Sequence, residues 1–203
     1  MSKEPFNFNM VCFTTNSERF RPLSIINKYL TNSDCGDDVK LNKKNSIKFY
    51  YELENKQFKH KKILILINEI LNLEEEKYDI CNFCDSYLII IDLESDDTYE
   101  QLETILNFMR NICDLEKSIF ILGVYFDPKN TKKELDEENI IDYLDGQKLI
   151  YEYVESNVDS VKDLVKTIDF IIKEGIKKIE KKIVEMELKE QTENQCKSIC
   201  SIY

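Results

Sequence analysis

Three places in the chain carry residue types and spacings that could do chemistry. In ILGVYFDPKN, residues 121–130, an apolar run is followed by a single acid, Asp127, ahead of Pro128. A carboxylate just past a buried strand can accept hydrogen bonds from a ligand at the sheet's carboxyl edge, and an acid before proline is also an ordinary turn initiator. CNFC, residues 81–84, has the C-x-x-C spacing of zinc and thiol–disulfide sites. Zinc would need two further ligands where His60 is the single histidine, and a redox motif should open a helix after a strand, whereas CNFC precedes one. Two plain cysteines are therefore the reading. The last residues, CKSICSIY, put Cys200 four from the end with Ile202 in the aliphatic position of a C-a-a-X lipidation signal, and Cys196 could take a second lipid.

Composition bounds what these residues can serve. The chain has 203 residues and a net charge of −11, which suits one acidic domain with a tail and a full core. Hydrophobic content of 42%, with 11 Phe and 11 Tyr, argues for a packed globule. The acidity argues against nucleic acid, because nothing would neutralise phosphates in bulk. The opening MSKEPFNFNM lacks the apolar core of a signal peptide, and no apolar run approaches a membrane span of about 20 residues. Seven cysteines, an odd number and partly within apolar runs, fit a reducing cytosol. The expected location is cytoplasmic, with anchoring to the cytoplasmic face of a membrane through the tail.

Elements that would position the site follow from periodicity. FNMVCF (8–13) reads as a strand, LSIINKYL (23–30) as a helix, and 46–67 as two strands joined at 54–57. SYLIIIDL (86–93) is a continuous apolar run, as in a strand covered on both faces. Tyr99, Leu102, Ile105, Leu106, Met109 and Cys113 recur at helical spacing. The strand SIFILG (118–123), an acidic helix near 131–145 stopped by Gly146, the strand KLIYEYV (148–154) and a last helix from about Asp159 complete the order. Strands alternating with helices imply an α/β doubly wound, mostly parallel six-stranded sheet, with one antiparallel edge strand and helices on both faces.

This order, a strand, a helix, an antiparallel hairpin and then strand–helix repeats, resembles a Ras-superfamily small GTPase, nearest the Rab branch, over most of residues 8–172. ENKQFKHKKILILI is similar to the family's second and third strands. SYLIIIDLESDDTYEQLETILNFMRNI is similar to its fourth strand and following helix, EKSIFILGVYFD to the strand entering the guanine-reading motif, and YEYVESNVDSVKDLV to the last strand and helix start. The resemblance implies a site for GTP or GDP with Mg²⁺, in which Asp127 would accept from two guanine nitrogens.

The residues needed for the rest of that site are replaced. Where the family has a glycine-rich phosphate loop, this chain has TTNSERFRPL (14–23) with no glycine, and Arg21, Pro22 and Leu23 fall on the Gly-Lys-Ser/Thr positions. Asp-x-x-Gly becomes Asn68-Glu69-Ile70-Leu71, the water-orienting Gln becomes Asn72, and the switch Thr falls near Asn45 or Ser46. Asn-Lys-x-Asp becomes Val124-Tyr125-Phe126-Asp127, and the closing Ser-Ala-Lys loop becomes Val154-Glu155-Ser156. Arg19 or Arg21 could still meet a phosphate electrostatically. One retained charged hydrogen bond is worth roughly 1.5–3 kcal/mol, short of the roughly 8 kcal/mol that micromolar binding needs.

The expected organisation is a Ras/Rab-like domain over 1–175, an extension of the last helix over 176–190, and a flexible tail over 191–203. Ile172, Ile176, Ile179, Ile183 and Met186 recur with heptad-like spacing past the point where the family's last helix ends, which reads as a seam for a protein partner, or else as a helix folded back on the body. The expected function is that of a pseudo-GTPase: an interaction module in membrane trafficking, without GTP hydrolysis, catalytic residues, metal ligands or a required cofactor. The alternatives are a divergent switch that still binds guanine nucleotide, and an unrelated Rossmann-like domain.

Overall fold

The computed structural model describes residues 6–15, 21–32, 40–41, 46–53, 61–70, 73, 78–126 and 137–200. Among these residues seven strands, β1 (Phe6–Thr14), β2 (Lys40–Leu41), β3 (Ser46–Leu53), β4 (Lys61–Glu69), β5 (Ser86–Asp92), β6 (Ser118–Tyr125) and β7 (Tyr151–Asn157), form one sheet in the order β2-β3-β4-β1-β5-β6-β7. β4, β1, β5, β6 and β7 run parallel, while β3 is antiparallel to β4 and to β2. Among the described residues five helices accompany them: α1 (Pro22–Leu30), α2 (Tyr78–Asn82), α3 (Thr98–Ile112), α4 (Glu137–Gly146) and α5 (Val161–Cys200).

The expected α/β architecture is present, with two differences. The sheet has six strands of seven to nine residues and, in addition, the two-residue β2, which makes β3 the second strand from the edge. β2 and the five-residue α2 are too short to show a period, which is why the sequence reading passes over them.

Strand alternation divides the core into two clusters, one on each face of the sheet. Phe8, Met10, Ile63, Ile65, Ile67, Leu88, Ile90, Phe120 and Leu122 face α1 and α5. Val11, Phe13, Tyr87, Ile89, Ile91, Ile119 and Ile121 face the other way, against Leu102, Ile105, Leu106 and Met109 of α3 and Ile140 and Leu144 of α4. β5 is buried at every residue, as its unbroken apolar run requires.

α5 corrects the reading of the C-terminal seam. Ile172 and Ile176 are 1% and 0% exposed and belong to the α1-side core, so neither is available to a partner. Ile179 also packs against that core, Ile183 is half-buried, and Met186 is exposed. The cause is Gly175, where a Cβ would stand 2.6 Å from Cζ of the buried Phe8. The bare glycine lets the helix lie close on the sheet, and the turn that follows packs as well. Lys178 continues the contact, its Nζ 2.5 Å from Glu152 Oε1 and 5.0 Å from the centre of the Phe120 ring, and Lys182 donates to Glu116 O at 2.9 Å.

The helix also outruns its expected end. It continues past Glu190 through Cys200, as a stretch from 176 to 200 without Gly or Pro permits. At about 1.5 Å per residue its 40 residues span roughly 60 Å.

Candidate functional site

The carboxyl ends of β1, β4, β5, β6 and β7 meet at one edge of the sheet, where α/β folds place their ligands. The first helix after β1 starts there, and its start is built unusually. Arg21 is the N-cap residue, with extended backbone and no side-chain capping bond of its own, Pro22 opens the helix, and the first turn carries no acid. Neither the N-cap side chain nor an acid in the first turn thus serves the α1 amides and the positive end of the helix dipole.

Glu69, the last residue of β4, supplies an acceptor from 46 residues away. Its Oε1 accepts from Leu23 N at 3.2 Å, and its Oε2 takes the Arg21 guanidinium in an ion pair. The Glu69 side chain is fully buried, while that of Arg21 is 44% exposed. The hydrogen bond and charge of Glu69 raise the Arg21 pKa further above its already high value. A buried carboxylate needs such partners, and here it has an N–H at a helix start and a guanidinium together. The backbone beside it is fixed, since Ile70 N donates to Cys12 O at 2.9 Å.

The sequence reading missed Glu69 and put weight on its neighbour Asn68. Period-two alternation held the missing signal: Ile63, Ile65 and Ile67 face α1, so Glu69, two further on, faces it too. Asn68 falls on the opposite face, where it lines a groove with Asp79, Ile80 and Phe83.

Elsewhere along this edge the polar groups hold one another. Thr15 Oγ1 accepts from Asp92 N at 3.1 Å, Asp92 Oδ1 accepts from Glu94 N at 3.0 Å, and Thr98 Oγ1 donates to Asp92 O. Glu94 Oε1 accepts from Phe126 N at 3.0 Å, which ties the loop after β5 to the end of β6. Asn157 Oδ1 accepts from Asp159 N at 2.8 Å and Ser160 N at 3.3 Å, and so shapes the entry to α5. Tyr153 donates to Glu155 Oε1 at 2.9 Å, and burial pushes its hydroxyl pKa up. Ser156 Oγ is buried with no hydrogen-bond partner among the described residues.

Of the residues expected at this site, Arg21, Pro22 and Leu23 are brought together with Glu69, with Pro22 and Leu23 buried. Ile70 is also buried, and Val124 is fully so. Ser46 opens β3 and pairs with Asn68 in the sheet register. Asp127, Arg19, Asn45, Leu71, Asn72 and His60 lie outside the described residues. Cys196 and Cys200 fall in the last turns of α5, with their side chains outside the description. Cys81 and Cys84 are buried and free, and among the described residues no cluster of His, Cys, Asp or Glu is arranged to hold a metal. Among the same residues no helix is long and apolar enough to cross a membrane. No protein-family model matches the sequence, and no curated protein matches it either.

Proposed function

We propose that the chain is a Rab-like member of the Ras superfamily that has become a pseudo-GTPase: a protein-interaction module in membrane trafficking that neither hydrolyses GTP nor switches with it. The carrying observation is the seating of Glu69. Its carboxylate takes the Leu23 amide and the Arg21 guanidinium, the two groups at the start of α1 best suited to receive a phosphate. An internal anion holds that seat, so a nucleotide's phosphates would meet a fixed negative charge where the family offers glycine backbone and lysine. The order β1, α1, antiparallel β3–β4, then β5-α3, β6-α4 and β7-α5 supports the family reading.

Without a γ-phosphate there is no differential binding to drive a change of shape, so a partner would read a constitutive surface. The exposed part of the seam on α5 is shorter than the sequence suggests: Ile183 is half-buried and Met186 is the first of its residues to be exposed. Val184 and Leu188, 53% and 57% exposed, lie on the opposite side of the helix at about 100° per residue. Cys200, with Cys196, would hold the module at a membrane through lipids.

Thermal unfolding of the full chain tests this reading. Excess GTP or GDP with Mg²⁺ is expected to leave the midpoint where it is, because a ligand that binds only the folded state must raise it. A rise of several degrees with either nucleotide would show a working site and favour a divergent switch.

A further inference from the structure

On the side turned away from the core, α5 carries a second row of residues. Lys166, Lys173, Lys177 and Lys181 are exposed, and so are the large apolar residues Phe170, Val184 and Leu188. At about 100° per residue all of them fall within about 40° of Lys177, in one line along the helix. Ile168, Gly175 and Ile179, which pack against the sheet, lie on the opposite side. The acids between 166 and 188 fall to either side of the line, and Asp163 closes it one turn before Lys166. From Lys166 to Leu188 the row runs roughly 33 Å at 1.5 Å per residue.

Three of the lysines have carboxylate neighbours on the same helix. Lys173 Nζ stands 2.6 Å from Asp169 Oδ2, Lys177 pairs with Glu174, and Lys181 Nζ is 3.9 Å from Glu185 Oε1. The three lysine side chains remain 47%, 66% and 79% exposed. Ion pairs held in water in this way are weak, so the ammonium groups are free to turn to another anion.

We propose that this row binds an anionic phospholipid surface, with α5 lying along the bilayer, the lysines on the lipid headgroups and the three apolar side chains among them. Charge complementarity is the ground: the chain as a whole carries −11, yet this line of lysines contains no acid. Distant carboxylates do not cancel it, since charges beyond about 8 Å are largely screened at physiological salt. Phe170 among the lysines, with Val184 and Leu188 beyond them, favours lipid over an acidic protein. A straight row of cations interleaved with large apolar side chains matches a planar boundary of headgroups and acyl chains. The same helix carries Cys196 and Cys200 beyond the row. The inference rests on the membrane part of the function proposed above and is independent of its nucleotide part.

The test sediments the full chain, purified without attached lipid, with vesicles of phosphatidylcholine alone or of phosphatidylcholine mixed with phosphatidylserine. Binding to the mixed vesicles only is expected, and it should weaken as salt is raised. A lysine at an anionic surface accounts for about a fivefold change in binding, so Lys177→Gln with Lys181→Gln should weaken it roughly 25-fold. Lys148→Gln, at an exposed lysine outside the row, should leave it within about twofold of the parent. Phe170→Ala with Leu188→Ala should weaken it about tenfold; should that variant fail to fold by circular dichroism, the exposed lysine variants decide alone. No binding to the mixed vesicles, equal binding to both kinds, or equal losses in the row and control lysine variants would overturn the proposal. So would a lysine-dependent dimer in sedimentation velocity without vesicle binding, which would give the row to acidic residues of a second copy. Because the chain carries no lipid in this test, its failure is distinct from failure of the Cys200 anchor.

Discussion

Replacing Ile176 by Asp is expected to abolish the cooperative fold. Ile176 has no exposed surface and sits in the α1-side core one residue past Gly175, where α5 lies closest to Phe8. Losing a buried Ile side chain costs about 2–5 kcal/mol. Burying an unpaired carboxylate adds several more, against a total stability of about 5–15 kcal/mol for a domain of ordinary size. Circular dichroism during urea titration should show no cooperative transition. Met186→Asp, at a residue 57% exposed, should keep its unfolding free energy within about 0.5 kcal/mol of the parent. The pair of variants marks where α5 ceases to be core. A folded Ile176→Asp chain would mean that this turn of the helix can leave the body.

Glu69→Ala should have the next largest effect. It removes the acceptor of Leu23 N, which lies at the buried start of α1, and leaves the Arg21 guanidinium without this partner. An orphaned buried donor costs about 1–3 kcal/mol, and a lost helix cap about 1 kcal/mol. A loss of roughly 2–4 kcal/mol in urea unfolding is expected, reached only in part by Glu69→Gln, whose amide oxygen still accepts from Leu23 N. Arg21→Ala should cost less than Glu69→Ala, since the guanidinium is substantially solvated. If Glu69→Ala proves as stable as the parent, the carboxylate does not cap α1.

Much of the sheet was legible because burial on both faces writes itself as unbroken apolar runs. SYLIIID became β5 and SIFILG the body of β6 at once. The helical period of Leu102, Ile105, Leu106 and Met109 likewise located α3. The seam on α5 was legible as a period but not as a place. Periodicity says that Ile172 and Ile176 share a face, and only the close approach at Gly175 says that this face is covered.

The site was harder to read, for a physical reason. Pro22 and Leu23 fall where the family has lysine and a cation-binding hydroxyl, and their side chains are recognisable from chemistry alone as unable to hold phosphate or metal. The acceptor for Leu23 N comes from another strand, and a lone acid at the end of KKILILINE gives no local sign of capping a helix. Pairing of β4 beside β1 brings Glu69 to the start of α1, a long-range consequence of sheet order.

The central claim is that Glu69 holds the seat a nucleotide's phosphates would need. Its most direct test is calorimetric titration of the full chain with GDP and with GTP, each with excess Mg²⁺ and again with EDTA. The account predicts no binding heat at micromolar protein for either nucleotide, with or without the metal. A saturable isotherm with a micromolar or tighter dissociation constant that weakens in EDTA would contradict it.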